Sequence, residues 1–225
     1  MDKNFNDLWN KLIKNKLVEK ELMLINNFFW LTGAPGAGKG TNTPIIMDYC
    51  NIKTPPIIVS NLLKSSNLKK KKDSGSLIDD YKVIKPLFKK ILEVITNYKK
   101  QNIIIDGFPR TIGQAQFIKN FYEKINSYKK NLKFHIIVLM VNEEKSIQRQ
   151  LYRGIQAKDQ KFIENIRFTD TSEEIAKKRY SIFKNLTIPE INYLQDYFEY
   201  YFIDCSYDLI NVQKVIEKTF INKKY

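Results

Sequence analysis

The stretch FFWLTGAPGAGKGTNTPIIMDYC, residues 28–50, decides the fold. It begins with a short apolar run, continues through a glycine-rich turn and ends in a segment that reads as a helix. Within it, residues 33–41 (GAPGAGKGT) satisfy the G-x-x-x-x-G-K part of the phosphate-binding loop, or P-loop. Such a loop between a strand and a helix points backbone N–H groups at phosphate oxygens. We therefore expect a phosphate site here, with Lys39 supplying a mobile ammonium.

Four further apolar runs lie along the chain and are separated by helical patterns. They are PPIIVS at 55–60, NIIID at 102–106, FHIIVLMV at 134–141 and YYFID at 200–204. Continuously apolar strands that alternate with helices favour a parallel sheet covered on both faces. The sequence thus predicts an α/β, three-layer P-loop fold with a five-stranded parallel sheet and helices on both faces.

Length and composition bound the class of protein. At 225 residues the chain has the size of one large domain. We expect a helical N-terminal extension over 1–27, ahead of a domain over 28–225. No window approaches the roughly 18 consecutive apolar residues of a membrane span, and the acidic residues near the N-terminus do not fit a secretory signal. These features predict a cytoplasmic protein with no membrane span.

The chain is strongly basic, with 38 Lys and Arg against 24 Asp and Glu, a net charge of +14. A basic surface concentrates polyanions such as nucleic acid. The alternative is a compositional bias toward Lys and Asn, which are over-used throughout. We favour bias and expect no nucleic-acid partner, because the lysines are scattered rather than interleaved with aromatics as in single-strand binders. The two cysteines, 155 positions apart, and a single histidine exclude a dedicated Cys/His zinc site.

A second motif, DGFPRT at 106–111, follows the third apolar run. It therefore lies at the carboxyl end of a buried strand, where open α/β sheets place their ligands. Asp106 is positioned to hold the waters of a phosphate-bound Mg²⁺ ion. Arg110 is aimed into the crevice as a bidentate phosphate ligand. Together, GAPGAGKGT and DGFPRTIGQAQ closely resemble the adenylate kinase family of nucleoside monophosphate kinases, over about residues 28–222.

The resemblance implies a nucleoside triphosphate on the P-loop, a monophosphate under a small segment at about 59–86, and a short mobile lid at about 154–166. It implies ATP and AMP as substrates, Mg²⁺ with the nucleotide, no zinc, and a monomer. The expected catalytic residues are Lys39, Arg110, Arg153, Arg167 and Arg179. The expected ATP-binding residues are Gly36, Ala37, Gly38, Lys39, Gly40, Thr41, Arg149 and Arg153. The expected AMP-binding residues are Val59, Lys64, Leu77, Ile78, Gly107, Phe108, Arg110, Gln114, Arg167 and Arg179, with Asp106 linked to Mg²⁺.

Individual roles follow from the same resemblance. Gln114 matches the glutamine that reads the adenine edge, and Arg149 matches the arginine that stacks on the donor base. Arg153 is a phosphate clamp. Arg167 and Arg179 are phosphate-bridging arginines, with Asp170 as their acidic partner. Phosphoryl transfer through a loose, in-line transition state depends on positioning and charge neutralisation, which explains a site built from arginines.

The sequence also departs from the family pattern. Gly40 follows Lys39 where many P-loops have a hydroxyl, so direct Mg²⁺ coordination by the displaced Thr41 hydroxyl is not expected. In the acceptor segment, Val59 and Lys64 stand in place of a threonine and an arginine. Cys205 stands where the family commonly has glycine. Two alternatives to an adenylate kinase stay open: a kinase of UMP, CMP or GMP, or a weakly active or regulatory nucleotide-binding protein.

Overall fold

The computed structural model describes residues 3–13, 16–63, 77–129, 131–159, 170, 172–223 and 225. The strands are β1 (Asn27–Gly33), β2 (Ile57–Ile58), β3 (Ile103–Asp106), β4 (Lys133–Met140) and β5 (Glu199–Asp204). The α-helices are α1 (Lys3–Leu12), α2 (Lys16–Met23), α3 (Lys39–Tyr49), α4 (Val59–Leu62), α5 (Asp80–Asn97), α6 (Ile112–Asn126), α7 (Glu143–Asp159), α8 (Glu173–Ile182), α9 (Ile188–Gln195) and α10 (Leu209–Phe220). A π-helical stretch, Phe183–Thr187, joins α8 to α9.

The five strands form one parallel sheet in the order β2-β3-β1-β4-β5. The central strand β1 aligns Leu31 with Asp106 of β3 and with Ile137 of β4. In β1 and β3 nearly every residue is buried, which requires cover on both faces. On the two faces, α3 packs against α10, and α5 packs against α2 and α6. This confirms the predicted α/β fold.

The second strand is shorter than predicted. Only Ile57 and Ile58 pair with β3, and the chain enters α4 at Val59. Prolines at 55 and 56 have no N–H to donate to a ladder, so pairing begins only after them. The prediction of a strand over 55–60 was therefore wrong at both ends, and Val59 lies on a short helix.

An aromatic cluster fills the core beneath the sheet. Trp30 lies 5.7 Å from Phe108 and 5.6 Å from Phe134, between ring centroids, and Phe28 lies 5.4 Å from Phe121. The first helix extends this cluster: the rings of Phe5 and Trp9 are buried, and Trp9 lies 5.8 Å from Phe88. The N-terminal residues therefore belong to the same hydrophobic core as the sheet. Within the described ranges no helix is long and apolar enough to cross a membrane.

Candidate active site

The glycine loop follows β1 and leads directly into α3. Gly36 and Gly38 have left-handed backbone angles, with φ of 73° and 77°, that L side chains rarely adopt. A Cβ on Gly36 would lie 2.8 Å from the carbonyl oxygen of Ser146, so the loop rests against the backbone of α7. The loop conformation thus depends on glycine at two of the expected ATP-binding positions.

Lys39 lies at the first position of α3 with its ammonium curled over the loop. Its Nζ donates to the carbonyl oxygens of Gly33 at 2.8 Å and Ala34 at 3.1 Å. The next residue, Gly40, faces open space, because a Cβ there would meet nothing within 4 Å. Thr41 is exposed. The loop therefore presents a cation and outward-facing residues where a phosphate chain would lie.

Asp106 ends β3 beside the start of α3 and is only 8% exposed. The Thr43 hydroxyl lies 3.3 Å from Asp106 Oδ2 and 2.8 Å from the Lys39 carbonyl oxygen. Thr43 was not predicted from the sequence, although its spacing of four residues from Lys39 puts both on one face of α3. A carboxylate with a neighbouring hydroxyl is a set of hard oxygen donors that suits Mg²⁺. Among the described residues no group of three or more His, Cys, Asp or Glu could hold a metal ion.

The turn after β3 carries Arg110 and is anchored to the central strand. Gly107 has φ of 89°, and its N–H donates to Leu31 O at 2.8 Å. The Thr32 hydroxyl donates to Pro109 O at 2.9 Å. Arg110 Nε in turn donates to Gly107 O at 3.0 Å. This arrangement holds the exposed Arg110 side chain across the turn, at the same edge of the sheet as the glycine loop.

Gln114 is buried at the start of α6, with both ends of its amide bonded. Its Oε1 accepts from Arg110 N at 2.9 Å, and its Nε2 donates to Asp80 Oδ1 at 3.0 Å. The Thr111 hydroxyl donates to the same Asp80 oxygen at 2.6 Å. Asp80, which was not predicted from the sequence, lies on α5 and connects that helix to the turn that carries Arg110.

A second acidic residue missed by the sequence analysis lies behind this turn. Glu190 of α9 is fully buried. Neither of its carboxyl oxygens has a hydrogen-bond partner among the described residues. Burial is the main cause that raises the pKa of Glu190 to about 9, with Arg110 opposing the rise and Asp80 adding to it. A lone glutamate in a helix carries no sequence signal that distinguishes it from a surface residue.

Two of the predicted lid arginines converge on one carboxylate. Arg153 donates from Nε to Asp170 Oδ2 at 2.6 Å and from Nη2 to Oδ1 at 2.8 Å. Arg179 Nη1 donates to Asp170 Oδ1 at 3.0 Å. Asp170 is 2% exposed, and Gly154 allows its backbone to approach α7, where a Cβ would collide with the Asp170 carbonyl. The pairing aligns two guanidinium groups from α7 and α8.

A buried polar chain connects these arginines to the glycine loop. Arg179 Nη1 also donates to Gln150 Oε1 at 2.6 Å, and Gln150 Nε2 donates to the Ser146 hydroxyl at 3.1 Å. Ser146 donates to Pro35 O at 2.7 Å. Gln150 and Ser146 are fully buried. This chain fixes the distance between the P-loop and the arginine cluster.

Arg149 is bonded to the loop that follows β5. Its Nη1 donates to Cys205 O at 2.7 Å, and its Nη2 donates to Tyr207 O at 2.9 Å. Lys145 Nζ donates to Ser206 O at 2.6 Å, so α7 binds three successive carbonyls of this loop. The Cys205 thiol is buried, and burial raises its pKa to about 11. Arg149 therefore shapes the wall beside the glycine loop.

The remaining predicted residues are distributed as follows. Lys64 and Arg167 lie outside the described residues. Val59 and Ile78 are buried, and Leu77 is half-buried. The Phe108 ring is fully buried against Trp30 in the core, so only its backbone borders the turn.

Comparison with known proteins identifies the family to which this chain is similar. The sequence model of the adenylate kinase family matches residues 31–198. This chain belongs to the adenylate kinase family. The adenylate kinase of Trichodesmium erythraeum is 31% identical over 195 residues, covering 83% of this chain and 93% of the relative. That of Borrelia garinii subsp. bavariensis is 31% identical over 217 residues, covering 85% and 97%.

The fold is also shared beyond this family. A gluconokinase from Sinorhizobium meliloti superposes with a TM-score of 0.50, at 13% identity, covering 88% of this chain and 95% of that structure. At that identity the likeness shows the fold alone. The predicted resemblance to adenylate kinases is confirmed by the family match.

Proposed function

We propose that this member of the adenylate kinase family transfers the γ-phosphoryl group of ATP to AMP, reversibly, to give two ADP. One observation carries the proposal: the glycine loop after β1 and the Asp106–Arg110 turn after β3 follow adjacent parallel strands, in register at Leu31 and Asp106. The two motifs therefore open at the same carboxyl edge of the sheet. A donor on the glycine loop and an acceptor at Arg110 would meet there.

The residues divide between the two nucleotides. The backbone of Gly36, Ala37, Gly38, Gly40 and Thr41 would bind the donor phosphates, and Lys39 would follow the transferring group. Arg110 would bind the acceptor phosphate as a charge-assisted donor. The acceptor segment at about 59–86, with Val59, Lys64, Leu77 and Ile78, together with Gly107, Phe108 and Gln114, would border the AMP.

The arginine cluster would neutralise charge during transfer. Arg153 and Arg179 are held side by side by Asp170, at a fixed distance from the glycine loop. With Arg167, they would contact the transferring phosphoryl group and the acceptor phosphate when the lid at about 154–166 closes. In analogous enzymes one such arginine contributes on the order of 10³–10⁵ in rate. Closure would also exclude water, which otherwise diverts transfer into hydrolysis.

Asp106, with Thr43 beside it, would hold a nucleotide-bound Mg²⁺ ion through its waters. When bound, that ion neutralises charge on the donor phosphates. Arg149 would border the donor base through the 205–207 loop. The proposal includes no zinc site, no nucleic-acid partner, and action as a monomer in the cytoplasm.

The test is a comparison of acceptors. Initial rates of ADP formation from Mg-ATP are measured with AMP, UMP, CMP and GMP in turn. The proposal predicts the highest kcat/KM with AMP. A higher value with another monophosphate would reassign the acceptor. Tight binding of a bisubstrate analogue without turnover of any acceptor would indicate a regulatory protein instead.

A further inference from the structure

The side chain of Glu190 is the least explained group near the proposed acceptor site. It lies on the first turn of α9, which packs against α6. It is fully buried, and neither carboxyl oxygen has a hydrogen-bond partner within the described part of the chain. Buried carboxyl groups are normally hydrogen-bonded, because an ionised carboxylate without a partner is strongly destabilised or gives way to the protonated form. A leucine or glutamine here would avoid that cost.

The surroundings of Glu190 connect it to Arg110. The Thr187 hydroxyl, one turn before Glu190, donates to Arg110 O at 3.3 Å, so the start of α9 contacts the acceptor turn directly. The charged groups that act on the Glu190 carboxyl are the Arg110 guanidinium and the Asp80 carboxylate. Asp80 is already bonded to Thr111 and Gln114.

Two lysines on neighbouring elements have surroundings of their own. Lys119 of α6 has its ammonium 4.2 Å from the centre of the Tyr197 ring, just beyond the far end of α9. Lys184 of the π-helical stretch is exposed. Within the described ranges, Arg110 is the cation that acts on the Glu190 carboxyl, and it is also the proposed ligand of the acceptor phosphate.

We infer that Glu190 is a positioning residue for Arg110, and that the ionisation of the Glu190 carboxyl sets the affinity for the acceptor. In its neutral form Glu190 leaves the Arg110 guanidinium directed toward the acceptor phosphate. In its ionised form it competes with that phosphate for the same guanidinium and repels the phosphate dianion. The inference rests on the proposed role of Arg110 as the acceptor-phosphate ligand.

Thermodynamic linkage predicts that AMP binding and the protonation of Glu190 affect each other, which a packing role of Glu190 alone would not produce. If ionised Glu190 weakens AMP binding, then bound AMP must equally disfavour the ionised form. AMP binding near pH 9 should therefore take up protons from solution, since burial raises the pKa of Glu190 to about 9. The AMP phosphate does not contribute there, because its second pKa is about 6.

The experiment uses the full chain and measures AMP binding by titration calorimetry between pH 7.5 and 9.5, in buffers of different ionisation enthalpy. Wild type is compared with Glu190→Gln, which keeps the size and removes the ionisation. The exposed Glu174→Gln is the matched control. Couplings of this kind are typically 5–150-fold. We expect the Kd of wild type and control for AMP to rise about threefold over this range, with proton uptake near pH 9.

For Glu190→Gln we expect a Kd for AMP that does not rise across the range, and no proton uptake. The Kd for ATP should follow one pH profile in all three proteins. A Glu190→Gln profile for AMP equal to that of wild type would overturn the inference alone. If that variant does not fold, Glu190→Leu replaces it, and absence of proton uptake by wild type at pH 9 overturns the inference without any variant. No AMP binding at any pH would overturn the proposed function as well.

Discussion

Lys39 is the single residue on which the proposed chemistry depends most. Its ammonium already lies within the curve of the glycine loop, bonded to Gly33 O and Ala34 O. Replacing it with methionine removes a charge that acts mainly in the transition state. We expect Lys39→Met to lower kcat about a hundredfold, since such a donor is typically worth ~3 kcal/mol. Steady-state kinetics check this, with the exposed Lys218→Met as control. Wild-type turnover by a folded Lys39→Met protein would show that the proposed mechanism is wrong.

The residues around Lys39 and Arg110 could be predicted to different degrees. The glycine-loop residues are adjacent in sequence, and their backbone geometry is local, so one short motif reveals them. Asp80 and Glu190 lie 30 and 80 positions from Arg110, on separate helices. Only the packing of α5 and α9 against the acceptor turn brings them near it. A single acidic residue in an amphipathic helix gives no local sign of such a partner.

Among the helices, α9 lowers the stability of the folded protein in a pH-dependent way, because it buries the Glu190 carboxyl. The pKa of Glu190 is raised in the folded state, to about 9. Between pH 4.5 and 9 the folded protein therefore binds more protons than the unfolded one, and its stability falls as pH rises. We expect Glu190→Leu to remove this slope and to raise the free energy of unfolding at pH 8 by on the order of 2 kcal/mol. Urea unfolding at pH 5 and pH 8 measures the difference. An unchanged pH slope in the variant would contradict the expectation.

The first helix contributes buried side chains to the hydrophobic core. Trp9 is buried, with Phe5, Phe88 and Phe121 within 6.2 Å between ring centroids. Truncating a buried Trp to Ala costs about 3–5 kcal/mol, and we expect that loss for Trp9→Ala. Lys11→Ala, exposed on the same helix, should change stability by no more than about 0.5 kcal/mol. Chemical denaturation of the two variants compares them. If Trp9→Ala loses as little stability as Lys11→Ala, then α1 does not pack against the core as described.

Element prediction succeeded where burial imposes a simple pattern. Strands β1, β3, β4 and β5 were found within a residue or two, because buried parallel strands are continuously apolar. The second strand was predicted too long, since an apolar run flanked by prolines looks the same whether or not it pairs. The helical character of the first 27 residues was predicted, yet their docking onto α5 and α6 was not. Docking depends on tertiary contacts that an amphipathic pattern does not specify.

Across the whole molecule, a buried polar network closes the sheet at the edge away from the nucleotide site. The ring of His135, stacked 4.5 Å from Phe29, donates from Nε2 to Asn27 Oδ1 at 3.0 Å, and its Nδ1 lies 3.2 Å from Glu199 Oε2. Burial lowers the pKa of His135 to about 4, outweighing the opposing effect of Glu199. The histidine is therefore neutral in the folded protein at pH 7.

This network predicts acid sensitivity. Below pH 6.5 the unfolded chain protonates His135 while the folded chain does not, until pH approaches 4, so stability falls as pH falls through that window. His135→Gln retains an amide donor for Asn27 and removes the titration. We expect the variant to lose less stability than wild type between pH 7 and 4.5, by on the order of 1–3 kcal/mol. Thermal melts across this range measure it. Parallel pH dependence in the two proteins would contradict the expected role of His135.

We conclude that two motifs at one edge of the sheet transfer a phosphoryl group from ATP to AMP. The most direct measurement follows the γ-phosphoryl label of ATP in the presence of Mg²⁺ and AMP. We expect the label in the β-position of the ADP newly formed from AMP, with one labelled ADP for each ATP consumed. Lys39→Met should transfer the label about a hundredfold more slowly. Label released as inorganic phosphate, or ATP consumption independent of AMP, would show that the protein does not transfer the phosphoryl group to AMP.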